Sequence, residues 1–330
     1  MNLSARQHDR SSAVLLGMAC ADALGAGYDH TGPLAAAEEV RMRAGGAHRA
    51  RGEWTDHTAL AVPVAKAVAD GHDLRDESTL DLIAAEWVDW ANTTPLTGLQ
   101  LAAALTGPVP TAAGVRRAAR EHHDSVGRSA GAGSLMRTAP VALAFLHDPA
   151  ALAEAARGLC ELTHCERDAS DACVLWGLAI RHAVLEGDLD LRVGLGALSP
   201  GRRELWSARL VQAEAQLPGD FGRNGWVVQA LQGAWSAIVH TPATDAGQYR
   251  LGVEAAVRGG GNTDAVAGVA GGLLAARWGL AAVPTDWRRL VRGRPGLGGA
   301  DLVRLAVFAA HSHDSTDAGQ RQSFRLHVVK

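Results

Sequence analysis

Lysine is almost missing from this 330-residue chain: Lys66 and Lys330 are the only two, and arginine supplies the remaining basic side chains. With abundant alanine and glycine, that scarcity reads as coding bias rather than function. The formal net charge of −3 leaves no electrostatic footprint for nucleic acid, which asks for a basic patch or stripe. No run of about 18 uncharged apolar residues exists, so an ordinary membrane-spanning helix is excluded. The segment from Met1 to Arg10 lacks the order of a signal peptide. A soluble, cytoplasmic protein is expected. The four cysteines (Cys20, Cys160, Cys165, Cys173) lie in apolar or helical contexts and suit a reducing compartment better than disulfides. Cys160, His164, Cys165 and Cys173 are near one another, but they match none of the usual zinc spacings.

Alternation of period two is almost absent, and no repeat of about 20 to 50 residues stands out. A chain that is 47% hydrophobic and 20% charged is globular in composition and long enough for one large core. Helical periodicity recurs in about a dozen segments. The expected fold is all-α, a single orthogonal multi-helix domain over residues 1–330.

Two polar turns organise the reading. In the first, Gly52-Glu53-Trp54-Thr55-Asp56-His57-Thr58, a ligand-rich turn runs into an apolar helical segment. Thr55 is a natural N-cap, and Asp56 and His57 fall in the first turn beside free backbone N–H groups. Capping alone explains Asp56. The second turn, Gly259-Gly260-Gly261-Asn262-Thr263-Asp264, has the same construction near the other end of the chain, so the two turns are candidates to face each other across one site. Pro63 is expected to kink the helix after the first turn or delay its start.

Other segments supply candidates. Ser11 and Ser12 are read as caps of an apolar helix from Ala13 to Leu24. Asp22 inside it needs a hydrogen-bonded or charged partner. Gly25 to His30 ends that helix, and residues 35 to 51 read as an exposed connection. Ser78-Thr79-Leu80-Asp81 resembles a capping box. Residues 92 to 111, with Pro95, Pro108 and Pro110, read as a loop, and residues 188 to 224 as turns around one short helix. Gly127-Arg128-Ser129-Ala130-Gly131-Ala132-Gly133-Ser134 is a small-residue loop opening onto a helix. Successive N–H groups there suit a phosphate, although a tight helix crossing explains the glycines equally well. His164, at a helix boundary, reads as a ligand contact or as a packed histidine.

Taken in order, Gly17 to Gly25, Gly52 to Leu60, Gly131 to Pro140, Thr163-His164 and Gly260 to Ala265 resemble the ADP-ribosylglycohydrolase family across essentially the whole chain. The resemblance implies an all-α fold holding two Mg²⁺ or Mn²⁺ ions, and hydrolysis of the bond joining ADP-ribose to a protein or small-molecule acceptor. By the same resemblance, Thr55, Asp56, His57, Asn262 and Asp264 occupy the metal-ligand positions. Ser129, Ala130, Gly131, Gly133 and Ser134 match the loop around the ribose and diphosphate, and His164 stands beside the ligand. Asp29 matches the acidic residue after the first helix and, with Asp56, is the expected catalytic pair.

The sequence departs from the family pattern at these positions. His57 stands where a second Asp is usual, Asn262 where the first Asp of the second turn is usual, Ala265 where a Thr is usual, and Ala132 where an Asn is usual. Asp29, Asp56 and Asp264 are the matched carboxylates that remain, and hard Mg²⁺ prefers oxygen ligands. One ion or none, rather than two, is expected, with His57 shifting preference toward imidazole-tolerant metals. A catalytically inactive ADP-ribose-binding protein is the alternative reading.

Overall fold

The first helix, α1 (Ala5–Gly25), runs through the middle of the protein, and from Ser11 onward all its residues are buried. The computed structural model describes residues 3–35, 37–46, 49–94, 98–242 and 244–312; Pro95 and Lys330 lie outside the described residues. After α1 come α2 (Asp56–Ala69), α3 (Glu77–Thr93), α4 (Leu99–Leu105), α5 (Ala112–Val126), α6 (Ala139–Ala144) and α7 (Pro149–Glu161). The second half holds α8 (Arg167–Glu186), α9 (Pro200–Ala215), α10 (Val227–Val239), α11 (Gly247–Arg258), α12 (Thr263–Trp278), α13 (Thr285–Leu290) and α14 (Gly299–His311). Among the described residues the only sheet is an antiparallel pair, β1 (Arg292–Gly293) and β2 (Leu297–Gly298). The fold is all-α, as the near absence of alternation implies. No described helix is long and apolar enough to cross a membrane.

Helices α1 and α12 lie against each other along most of their length because small residues line the crossing. A Cβ built on Gly17 would sit 2.3 Å from the Cβ of Ala275, and one on Gly271 would sit 2.4 Å from the Cβ of Ala21. From Ala13 onward α1 is apolar nearly all round, as is α12, the pattern of helices enclosed on every side. Trp176 of α8 closes the group, donating from Nε1 to the Val269 carbonyl at 3.2 Å. Tyr249 of α11 donates to the Gly17 carbonyl at 2.7 Å. The buried apolar residues form one continuous cluster.

Several local expectations are corrected. Ser4, not Ser11 or Ser12, caps α1, in a reciprocal box with Gln7; the two later serines are inside the helix and bond back to the His8 and Asp9 carbonyls. Helix α2 starts at Asp56 and continues through Pro63 to Ala69, so the proline does not delay its start. Helix α3 starts at Glu77 behind Asp76, and Asp81 instead accepts from the Ala112 N–H at 2.8 Å, capping α5 from outside. The segment read as a proline-bearing loop contains α4, and the helix within residues 188 to 224 is not short but the 16-residue α9. In the exposed connection, Val40 and Met42 are buried.

Candidate active site

The paired ends of α1 and α12 bring the N-terminus of α2 alongside the start of α12, as the matching construction of the two polar turns suggested. Asp22, one turn from the end of α1 and without exposed surface, holds the first turn in place. Its carboxylate accepts from the Thr55 N–H at 3.1 and 3.2 Å, from the Thr58 N–H at 3.1 Å and from the Thr58 hydroxyl at 2.5 Å. These backbone groups are the N-cap and third N–H of α2, donors that a helix cannot satisfy internally. Asp22 therefore supplies from another helix the contacts that a capping box supplies locally. Thr55 completes the cap, accepting from the His57 N–H at 3.3 Å.

The second turn is shaped by two glycines in the left-handed region, Gly260 (φ 74°) and Gly261 (φ 77°), where side chains are disfavoured. Gly261 pairs with Thr31 through antiparallel backbone hydrogen bonds, and its carbonyl accepts from the His30 N–H at 2.7 Å. Asn224 bridges the turn, donating to the Gly260 carbonyl and accepting from the Asn262 N–H, both at 2.8 Å. Thr263 donates to the Gly25 carbonyl at 2.8 Å, tying the start of α12 to the end of α1. Gly25 leaves room for this: a Cβ there would meet the Thr263 carbonyl oxygen at 2.4 Å and the Asp264 Cα at 2.6 Å.

Five ionisable side chains, Asp22, Asp29, Asp56, His57 and Asp264, gather around the two turns. His57 Nε2 lies 3.8 Å from Asp264 Oδ1, with both side chains nearly enclosed. Its Nδ1 is buried without a partner among the described residues. Burial pulls the His57 pKa down, but Asp56, Asp264, Asp22 and Asp29 outweigh it and hold it above the ordinary histidine value. The Asp29 side chain is 19% exposed and lies 3.2 Å from His30 Nε2. Burial, and then the Asp264 carboxylate, push its pKa up to about 7. Burial pushes Asp22 up to about 6, with His57 and its threonine donors opposing. Asp56 opens α2 and lies 3.9 Å from Arg49 Nη2. A carboxylic acid that keeps its proton toward neutral pH beside other carboxylates is the arrangement that general acid catalysis uses.

The metal pair implied by the resemblance does not fit these residues. Ala265 carries no side-chain oxygen, and His57 and Asn262 stand where carboxylates are usual, so the donor set lacks the hard anionic oxygens that two Mg²⁺ ions ask for. Among the described residues no three His, Cys, Asp or Glu side chains are gathered to hold an ion.

The small-residue loop is packed nearby as two turns of 3-10 helix leading into α6. Several of its groups are already bound within the protein. The Ser129 N–H donates to the Glu166 carboxylate, and the Ser129 hydroxyl meets His123 Nδ1 at 2.8 Å and the Cys165 N–H at 3.1 Å. The Gly131 N–H donates to Gln100 Oε1 at 3.1 Å, and the Ala132 N–H to the Gly225 carbonyl at 3.0 Å. Ala130 accepts from Val227 at 2.9 Å, Gly133 packs toward Leu101, and the Ser134 hydroxyl is buried. His164, 1% exposed, lies beneath the loop rather than at its surface. Gln100 also donates to the Ser129 and Thr163 carbonyls at 2.9 and 3.0 Å. The sequence carries no motif that marks Gln100, Asn224 or Glu166. Gln100 falls in the stretch read as a loop, and nothing local marks a lone polar residue that works through distant backbone.

Comparison with known proteins gives one answer. The sequence model of the ADP-ribosylglycohydrolase family matches residues 3–317. The chain is similar to an ADP-ribosyl-[dinitrogen reductase] glycohydrolase from Rhodospirillum rubrum, 26% identical over 293 residues covering 85% of this chain and 89% of that one. Among solved structures it is similar to one titled "ADP-ribosylglycohydrolase-related protein complex", with a TM-score of 0.69 and 27% identity, covering 93% of this chain and 99% of the other.

Proposed function

Because this chain belongs to the ADP-ribosylglycohydrolase family, we propose that it hydrolyses an N- or O-linked ADP-ribosyl bond, or a related ribosyl bond, in a modified protein or small molecule. The observation that carries this reading is the Asp29 carboxyl, part-exposed beside the two polar turns and raised to about 7 by burial and the neighbouring Asp264 carboxylate. Cleavage at the anomeric carbon passes through an oxocarbenium-like state. In the proposed reaction, protonated Asp29 gives its proton to the departing acceptor while Asp56 orients the attacking water and accepts its proton. The water oxygen becomes the new anomeric hydroxyl. The negative charge of Asp56 and Asp264 stabilises the positive charge that develops on the sugar. His57 offsets part of that negative charge when no substrate is present.

One divalent ion, Mg²⁺ or Mn²⁺, at Asp56 and Asp264 is the most that this donor set accommodates, since Mg²⁺ is often held by one or two carboxylates and water. No step above depends on it. The Ser129 to Ser134 loop is the proposed seat of the ribose and diphosphate. In a cell the proposed setting is the cytoplasm.

The deciding experiment measures free ADP-ribose released from Arg-linked, Ser-linked and O-acetyl ADP-ribose, each with EDTA, Mg²⁺, Mn²⁺ and Zn²⁺ in parallel. Release from any member establishes the hydrolase and its linkage class. Silence across the panel with ADP-ribose still bound replaces it with an inactive ADP-ribose-binding protein, a reading favoured by His57 and Ala265 standing at the altered positions.

A further inference from the structure

Arg137 has no exposed surface, and a guanidinium offers only donors. Its Nη2 donates to the Thr163 hydroxyl oxygen and lies 3.5 Å from the Cys160 carbonyl. Its Cζ sits 4.5 Å from the centroid of the Trp87 ring, and its Nε and Nη1 find no acceptor among the described residues. A charge enclosed in this way is costly, and it dictates the direction of the bonds it makes.

Thr163 must accept from Arg137. The same hydroxyl oxygen lies 2.7 Å from Nδ1 of His164, and among the described residues that nitrogen is the acceptor its hydrogen can reach. Thr163 therefore donates and Nδ1 accepts. A neutral imidazole carries a single N–H, so the proton stands on Nε2. That nitrogen faces Gly131: a Cβ built on Gly131 would come within 3.6 Å of it. The N–H of Gly131 is itself held by Gln100.

We propose that Arg137, Thr163 and His164 form a one-way hydrogen-bond relay that fixes His164 as the neutral Nε2–H form, a strut beneath Gly131 that sets the shape of the 129–134 loop. His164 is then a positioning residue and neither gives nor takes a proton in the reaction. Burial and the neighbouring Arg137 cation both favour the uncharged ring, holding its pKa well below the usual histidine value. Across the loop, the Glu166 carboxylate is bonded to the Ser129 N–H. The consequence for ligand affinity rests on the ADP-ribose reading above; the relay itself does not.

The test uses the full chain labelled with ¹⁵N-histidine, with the His164 signals assigned by their loss in His164→Gln. Long-range ¹H–¹⁵N spectra at neutral pH report which ring nitrogen carries the proton. The wild type is expected to show Nε2–H alone. Thr163→Val is expected to mix or reverse the tautomers and to weaken ADP-ribose binding about tenfold, the scale of one lost hydrogen bond of 1.4 kcal/mol. Thr163→Ser is expected to preserve both. A wild-type ring protonated on Nδ1 or on both nitrogens overturns the relay, as does a Thr163→Val ring spectrum identical to wild type. Failure of the wild type to bind ADP-ribose at all overturns the functional reading and leaves the ring spectrum to decide the relay.

Discussion

Three donors at the start of α2 converge on the carboxylate of Asp22, and each would be stranded in the interior without it. A buried donor left unsatisfied costs roughly 1–3 kcal/mol. Asp22→Ala is therefore expected to lower the unfolding free energy by about 3–5 kcal/mol in urea denaturation, and Asp22→Asn, which keeps one acceptor oxygen, by less. Asp29 makes a kinetic prediction. Its acid form is present below about 7, so the hydrolysis rate should decline as pH rises through about 7. Asn at position 29 cannot donate an equivalent proton and should lose about 10²–10⁴-fold in kcat; a variant of undiminished rate would remove Asp29 from the chemistry. The need of Asp22 for a partner is readable from one charge in an apolar helix. Its actual partners, 33 and 36 positions away, are not, because no local pattern records which distant N–H groups lack acceptors.

Among the helices, the crossing of α1 and α12 admits no added volume. Gly271→Ala would place a methyl group 2.4 Å from the Ala21 Cβ and 2.8 Å from the Gly17 carbonyl oxygen. Overpacking of this kind typically costs about 1–3 kcal/mol, measurable as a lowered denaturant midpoint with the slope unchanged. Helical class is legible because long apolar segments carry a strong period. Helix starts are less so. Ser11 and Ser12 resemble caps by composition, but Ser4 and Gln7 form the box about two turns earlier. Pro63 sits inside α2 because burial on both sides outweighs one missing hydrogen bond. Helix α4 is only seven residues long, too short for its period to rise above the prolines around it.

The molecule as a whole should respond to pH through its raised carboxyls. An acid whose folded pKa exceeds its unfolded value near 3.9 contributes stability that is complete below about 4 and is lost as pH rises through the folded value. For Asp29 that window ends near 7. The stability of the wild type minus that of Asp29→Asn should thus fall as pH rises from 4 to 7, leaving the inactive variant the more stable above 7, as thermal melts across that range can show. Ion binding is a second global readout. Calorimetric titration of the wild type with Mg²⁺ or Mn²⁺ should detect at most one ion. Combining His57→Asp, Asn262→Asp and Ala265→Thr should raise the number to two and add Mg²⁺-dependent release of ADP-ribose. The order of motifs along the chain makes the family readable from sequence, whereas the contacts occupying the loop's N–H groups emerge only when α4, α8 and the strand-like segment before α10 are brought beside it.

The bond from the Thr263 hydroxyl to the Gly25 carbonyl joins positions 238 apart. At ordinary rates of synthesis, about 5–20 residues per second, Asp22 leaves the ribosome tens of seconds before Asp264. Through that interval α1 has no α12 to cover its small-residue face, and the cleft has only one wall. A chain interrupted anywhere before α12 is thus expected to be sticky and inert together, and the appearance of activity during translation would time the closing of the fold.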